Sequence, residues 1–136
     1  MDFATSMIIA ASGMRAQSDR MRVIAQNIAN ANSTATTAGA DPYRRQIATV
    51  SSEFDRTLGA TLVQSAAPQP DMTDFRKQYD PGNPAADKTG YVKLPNVNSL
   101  VEIMDMREAQ RSYQADLTVM DATKSMLART VDLLRR

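Results

Sequence analysis

The sequence predicts a mainly α protein, in which long N- and C-terminal helices with coiled-coil-like spacing flank a small, irregular, β-containing middle segment. All six prolines and four of the five glycines lie between positions 39 and 95, and the fifth glycine is Gly13. Apolar residues recur every three or four positions in both flanking segments, as on a helix face. Because proline and glycine interrupt regular structure, we divide the chain into residues 1–34, 35–95 and 96–136.

The first segment is predicted to be helical from about residue 4 to about residue 29. Its apolar face repeats every seven residues, a spacing typical of helices that pack against other helices. The residues on this face are Met7, Met14, Met21 and Ile28. The polar stretch 30–37 is expected to end the helix, because Asn, Ser and Thr side chains compete for backbone hydrogen bonds.

The last segment is predicted to be a second long helix. Ser99 and Glu102 have the spacing of a capping box, in which each side chain satisfies a free donor of the first turn. One apolar seam comprises Ile103, Met106, Tyr113, Leu117, Met120, Leu127, Val131 and Leu134. A second stripe comprises Ala115, Val119, Ala122, Met126 and Leu133. A helix with two apolar faces needs more than one neighbour, and the first helix can cover only one face.

The middle segment shows strand and turn signals. Residues 75–79 alternate in the pattern of a strand with one covered face, and residues 91–94 form a second short strand candidate. Residues 80–83 have the preference of a type II turn, with Pro81 followed by Gly82. Weaker strand candidates are residues 46–50 and 61–63, and the prolines of 66–71 favour an extended, mobile stretch.

The apolar composition is poor in residues that fill a core. Ala and Met supply 29 of the 58 apolar residues, whereas Leu, Ile, Val and Phe together make up 25 of the 136 residues. Each residue ordered costs about 1–2 kcal/mol of backbone entropy, and Ala offsets little of it. We therefore expect the terminal helices to become ordered on assembly into a multi-helix bundle. The alternative is that each stripe is the ordinary core of a single folded chain.

Several classes of function are excluded by residues that the chain lacks. With no Cys and no His, it has no disulfide, no Cys/His zinc site and no His-dependent catalytic triad. Asp71, Asp74, Asp80 and Asp87 lie in turn-rich sequence, where Asp serves the backbone. The sequence therefore predicts a protein that is not an enzyme and has no catalytic, metal or cofactor site.

The charge pattern and the N-terminal sequence argue against nucleic acid as a partner, a membrane span and a cleaved signal. The net charge is +1, and basic residues are scattered among acidic ones, so no nucleic-acid-binding face is expected. No apolar run approaches the roughly 20 residues of a membrane span. The N-terminus shows no basic region followed by a long apolar run, so we expect no cleaved secretory signal.

Several strings resemble the axial proteins of the bacterial flagellum. They are Ala25–Asn32, Tyr79–Asp87, Gly90–Val97, Arg111–Leu117 and Lys124–Met126. The first resembles a signature shared by rod, hook and hook-associated proteins, and the others are similar to a proximal rod member. Residues 42–45 replace the Gly-Tyr-Lys that often follows the signature in hook proteins, which favours the rod. Residues 51–76 match no motif.

The resemblance implies a fold and a cellular place. The terminal helices of one subunit would pair as a coiled-coil-like bundle and pack with neighbours into a core tube, with the middle segment outside. The expected partners are copies of the chain, neighbouring rod proteins, the rod-base adaptor protein and the flagellar type III export apparatus. The expected location is the rod of the basal body, in the periplasmic space, reached by export without a cleaved signal. The matching motif residues are Asn27, Ala29, Asn30 and Asn32.

These observations together predict a non-enzymatic subunit that polymerises into the proximal rod, the part of the drive shaft that transmits torque. The predicted assembly residues are Met7, Met14, Met21, Ile28, Ile103, Met106, Tyr113, Leu117, Met120, Leu127 and Leu134. The alternative function is a soluble helical adaptor or export chaperone that binds a partner helix in a groove.

Overall fold

Two long helices flank a middle segment of short strands. The computed structural model describes residues 2–135; Met1 and Arg136, the outer limits of the predicted terminal segments, lie outside the described residues. Helix α1 spans Phe3–Ala29 and helix α2 spans Ser99–Leu134. The prediction of two long terminal helices around a small β-containing middle is therefore confirmed.

The middle segment contains three two-stranded antiparallel sheets. The strands are β1 (Gln46–Ile47), β2 (Val50–Asp55), β3 (Ala60–Ser65), β4 (Gln69–Pro70), β5 (Arg76–Tyr79) and β6 (Tyr91–Leu94). β2 pairs with β3 as a hairpin, β1 pairs with β4, and β5 pairs with β6. The predicted strand at 91–94 is β6, and the weaker candidates fall on β1, on the start of β2 and within β3.

The structure corrects two details of the middle segment. All four residues of β5 are exposed, so its predicted covered face is wrong. β5 pairs only with β6, and the ring of Tyr79 meets Tyr91 edge-on at 5.3 Å between centroids. The type II turn is also wrong, because Gly82 lacks the positive φ that this turn requires. The turn is instead closed by the Asn83 N–H, which donates to the Asp80 carbonyl at 3.2 Å.

The chain divides into two compact units. The hairpin unit comprises the described residues of 1–21, the segment Thr49–Ala67 with β2 and β3, and the described residues of 107–136. The network unit comprises Arg22–Ala48 and Pro68–Met106. Each helix contributes residues to both units, because its sequence crosses the boundary between them.

The hairpin unit is built on small side chains. Its buried apolar residues are Ala10, Ala16, Ala60 and Ala109. β3 is held to α1 by a hydrogen bond in which the Val63 N–H donates to the Ser12 hydroxyl at 3.1 Å. The helices run in opposite directions in this unit, since Gly13 lies against Asp116 and Arg20 pairs with Glu108 at 3.3 Å.

The network unit has a mixed core of aliphatic and polar side chains. Its buried apolar residues are Val23, Ile24, Ala31, Ala85, Val92 and Val97. Asn27 and Glu102 are buried beside them, although polar side chains are rarely buried without partners. Together with their partners, these two residues form a buried polar network.

Candidate assembly site

Asn27, in the axial signature, is held by four hydrogen bonds near the end of α1. Its side chain is 1% exposed. The amide oxygen accepts from the Tyr43 hydroxyl at 2.8 Å and from the Gln46 N–H at 2.9 Å. The amide nitrogen donates to the Gln46 carbonyl at 2.8 Å and to Glu102 at 3.0 Å. Because this side chain pairs with both backbone groups of Gln46, it anchors β1 to α1 as a neighbouring strand would.

Glu102 connects α2 to the same cluster. Its side chain is 1% exposed, and one carboxylate oxygen accepts from Arg45 Nε at 2.6 Å. Arg45 also pairs with Asp71 at 3.3 Å, and a further nitrogen lies 3.8 Å from Asp105. Burial opposes the charge of the guanidinium, but Glu102 and Asp71 outweigh it and raise the pKa of Arg45. A buried carboxylate is tolerated because its charge is paired and each of its two oxygens accepts a hydrogen bond.

The predicted capping box is wrong. The residue that caps α2 is Asn98, whose side chain accepts from the Leu100 N–H at 3.1 Å. The Asn98 carbonyl accepts from the Glu102 N–H at 3.0 Å. The Glu102 carboxylate binds Arg45 and Asn27 instead of the first turn of its own helix. A guanidinium is a stronger partner for a carboxylate than a backbone N–H is, because its hydrogen bond is charge-assisted on both sides.

A second group of residues, Asn96, Thr73 and Asp71, connects the loops around Arg45 through hydrogen bonds. The Asn96 side chain accepts from the Arg45 N–H at 2.8 Å and donates to the Thr73 hydroxyl at 2.9 Å. The Thr73 N–H donates to the Asp71 carboxylate at 3.0 Å. That bond, with the Thr73 side chain and Arg45, lowers the pKa of Asp71. Sequence reasoning missed Arg45, Asp71 and Asn96, because the bonds that join them to one another and to Glu102 span 25 to 57 residues.

The other motif residues lie at the surface. Ala29 and Asn32 are exposed, and Asn30 is half-buried. Asn30 donates from its side chain to the Gln26 carbonyl at 2.9 Å, where α1 ends. Of the four motif residues, only Asn27 enters the buried network.

The predicted assembly residues lie outside the buried core of the isolated chain. Those that are half-buried are Met7, Met14, Met21, Ile28, Met106, Tyr113, Leu117 and Met120. Those that are exposed are Ile103, Leu127 and Leu134. The buried line on α2 instead follows Glu102, Ala109 and Thr123. Periodicity did not single out this line, because its residues are small or polar.

The second stripe of α2 is exposed as well. Val119, Met126 and Leu133 are between 50% and 73% exposed, and every residue from 124 to 135 is exposed. Within residues 2–135, no helix is long and apolar enough to cross a membrane. The same residues contain no group of three acidic side chains that could hold a metal ion.

Comparisons with known proteins identify the family. A family described as flagella basal body rod protein matches residues 7–35, and a second, described as flagellar basal body rod FlgEFG protein C-terminal, matches residues 88–133. Over 127 residues the chain is 53% identical to the flagellar basal-body rod protein FlgC of Agrobacterium fabrum, covering 93% of this chain and 91% of that protein. The chain belongs to the FlgC family of flagellar basal-body rod proteins.

More distant FlgC proteins match over the same extent. FlgC of Salmonella typhimurium is 39% identical over 131 residues, covering 92% of each chain. FlgC of Bacillus subtilis is 34% identical over 143 residues, covering 94% of this chain and 95% of that protein. The chain is therefore a structural subunit of the flagellar basal-body rod, and the predicted resemblance is confirmed. The FlgC relatives favour this function over the adaptor or export chaperone.

Proposed function

We propose that the chain polymerises with copies of itself and with neighbouring rod proteins into the proximal rod, which transmits torque. The observation that carries the proposal is the last third of α2, where residues 124–135 are exposed although two apolar stripes run through them. Apolar faces of this extent on a helix are typical of a surface that a partner covers. A role in packing agrees with the FlgC relatives, and we assign the chain no catalytic role.

We propose that α1 and α2 of one subunit pair in a coiled-coil-like manner at the core of the rod. The contact of Gly13 with Asp116 and the pair of Arg20 with Glu108 support an antiparallel approach in the hairpin unit. Flanking ion pairs of this kind are a feature of coiled coils. Residues 1–34 and 96–136 would then form the core tube domain.

We place residues 35–95 on the outside of the rod, with the rod-base adaptor protein among the partners of the subunit. The β2–β3 hairpin supports this placement, because Phe54 is 60% exposed and Leu58 is also exposed near the tip. Large apolar side chains at the end of a hairpin suit contact with another subunit.

We further propose that the subunit is exported unfolded by the flagellar type III apparatus, without a cleaved signal, to the rod in the periplasmic space. The absence of cysteine supports this route, since no disulfide can hold the chain closed during passage. The core of small residues in the hairpin unit also supports it, because Ala stabilises a folded state little.

The test is complementation of a strain from which the gene has been deleted. Tyr113→Asp places a charge on the predicted seam, and Gln114→Asp places one on the adjacent exposed position as the control. We expect the Tyr113→Asp strain to lose swimming and the Gln114→Asp strain to swim. Normal flagella in the deletion strain would contradict the proposed function. Normal flagella with Tyr113→Asp alone would show that the seam is misassigned.

A further inference from the structure

An open groove lies in the hairpin unit among α1, α2 and β3. Its volume is about 430 Å³. Apolar walls come from Ile9, Ala10, Val63 and Val119. The polar side chains that line it from the helices are Ser6, Gln17, Ser112 and Asp116. No part of the buried network of Asn27 and Glu102 contributes to this groove.

Gln17 and Asp116 offer acceptors that bond to no donor in the described part of the unit. The amide oxygen of Gln17 is buried without a hydrogen-bond partner. The Asp116 carboxylate lies against Gly13, so that a Cβ built there would be 2.6 Å from its Oδ2 atom. Among residues 2–135, no cation lies within 4.0 Å of Asp116, and the groove hydroxyls of Ser6 and Ser112 donate to neither acceptor.

This arrangement is unfavourable in an isolated chain. Burial disfavours the charged form of the Asp116 carboxyl and so raises its pKa. An unsatisfied acceptor in an apolar site also costs free energy that a donor would recover. A partner that brings donors on an apolar surface would remove both penalties.

The chain itself carries a surface of this kind at the end of α2. Met126 and Leu133 are exposed on the second stripe, and Arg129 lies between them at steps of three and four residues. Arg129 thus places a cation within an exposed apolar stripe. The groove presents the opposite arrangement, which is an anion within apolar walls. A guanidinium has five donors, enough for a carboxylate and an amide oxygen together.

We propose that the groove of one copy receives the end of α2 from a second copy, with Arg129 of the incoming helix donating to Asp116 and Gln17. The proposal rests on the proposed function, because it requires copies to be neighbours in the rod. Groove and helix end are different surfaces of one chain, so the contact is head-to-tail. Contacts of this type extend into open assemblies instead of closing as dimers.

The test uses engineered cysteines, which are unique because the chain has none. Val119→Cys at the groove is combined with Met126→Cys or with Leu133→Cys at the helix end. These pairs are 7 and 14 residues apart on one helix, about 10 and 21 Å, which is too far for a disulfide within one chain. The matched control combines Val119→Cys with Lys124→Cys, which lies on another face of α2.

We expect mild oxidation of isolated basal bodies to give a ladder of cross-linked chains with one of the two test pairs. The Met126→Cys pair should react if the docked helices are antiparallel, and the Leu133→Cys pair if they are parallel. The control should give no ladder. Swimming of each strain reports separately on the proposed function. Swimming cells without a ladder, or with Val119→Cys linked only to a different rod protein, would overturn the inference and leave the rod function intact.

A double-mutant cycle tests the charge pair itself, in the background of the reactive cysteine pair. Asp116→Asn keeps the shape of the side chain, and Arg129→Gln removes the guanidinium. We expect each to lower the ladder yield by about tenfold. If the two residues contact each other, the double variant should be no worse than the poorer single one. If the two reductions in ladder yield multiply in the double variant, or if neither substitution changes the yield, the assignment of Arg129 to Asp116 is overturned.

Discussion

The two compact units differ in whether the polar side chains in their interiors and grooves find hydrogen-bond partners. In the network unit, Asn27 and Glu102 are buried and every hydrogen-bonding atom of their side chains has a partner in the same chain. In the hairpin unit, Gln17 and Asp116 reach an apolar groove and find no donor among the described residues. Alanines form the core of that unit, whereas larger aliphatic residues contribute to the core of the network unit.

The network unit completes the hydrogen bonds of its buried side chains within one chain, whereas the hairpin unit leaves acceptors unpaired and apolar faces exposed. A saturated polar network can specify one arrangement of its segments, because any other leaves a buried group unpaired. For a unit with small core residues, exposed stripes and unpaired acceptors, we expect neighbours that cover these groups to add stability. Substitutions in the network unit should therefore lower the stability of the isolated chain most, and substitutions on exposed faces of the hairpin unit should affect assembly most.

The largest effect is expected for Glu102→Ala. The substitution removes the acceptor that Arg45 and Asn27 share and leaves a cavity, although Arg45 keeps its pair with Asp71. We expect the free energy of unfolding to fall by about 3–4 kcal/mol. Urea denaturation of the purified chain, followed by hydrogen exchange, measures the loss and locates it. The control is Glu108→Ala, whose exposed pair with Arg20 is worth at most about 1 kcal/mol. Equal effects of the two substitutions would contradict the contrast between the units.

A smaller loss is expected for Asn27→Asp. The change replaces the donor to Glu102 and to the Gln46 carbonyl with an acceptor, and we expect a cost of about 2–3 kcal/mol. Asn32→Asp alters an exposed residue of the same motif and should stay within about 0.5 kcal/mol. The same urea series checks both. If Asn32→Asp is as costly as Asn27→Asp, Asn27 has no special structural role.

In the hairpin unit, Gly13→Ala is expected to cost about 1 kcal/mol. The new methyl group would meet the Asp116 carboxylate at 2.6 Å, and such overpacking costs about 1–3 kcal/mol. Because Ala has a higher helix propensity than Gly, the substitution also adds about 1 kcal/mol to the free energy of unfolding. At Gly82, which has a negative φ, the nearest atom would be 3.8 Å away, so Gly82→Ala should be neutral or stabilising. Thermal denaturation of the Gly13→Ala and Gly82→Ala variants measures the difference in their stability. A stabilised Gly13→Ala variant would show that the helices do not approach closely at residue 13.

The smallest expected effect is a difference between the carboxyl pKa values of Asp71 and Asp116. The pKa of Asp71 is lowered by Thr73 and Arg45, so its contribution to stability is present above about pH 4 and is lost as the pH falls further. The pKa of Asp116 is raised by burial, so its protonation favours the folded state and stability declines as the pH rises through the folded pKa. Carbon-13 titration of the carboxyl groups should place Asp116 above Asp71, and the reverse order would remove this distinction between the units.

The helices were predictable because their signals are local. Apolar periodicity and the confinement of proline to positions 42–95 placed α1 and α2 within a few residues of their ends. β6 was predicted with the correct bounds, because Gly90 and Pro95 flank it. The covered face of β5 and the turn at Gly82 were not predicted correctly, because both depend on which partner lies alongside.

The polar site was not predictable because its bonds span the chain. Asn27 was identified only through the family resemblance, and Glu102 was assigned to a capping box that has the same sequence spacing. What distinguishes a capping Glu from a buried one is the position of Arg45, which is 57 residues away. The predicted assembly residues remain a prediction, since an isolated chain shows which faces are exposed and not what covers them.

The sequence separations within the network at Asn27 favour one order of folding. The bonds of Asn27 to Tyr43 and Gln46 close loops of 16 and 19 residues, whereas its bond to Glu102 spans 75. Closing a longer loop costs more entropy, and distant contacts form later than local ones. The first helix and β1 can therefore meet early, but the site closes only when residue 102 arrives. In a growing chain, the site therefore stays open at this point until the second helix is present.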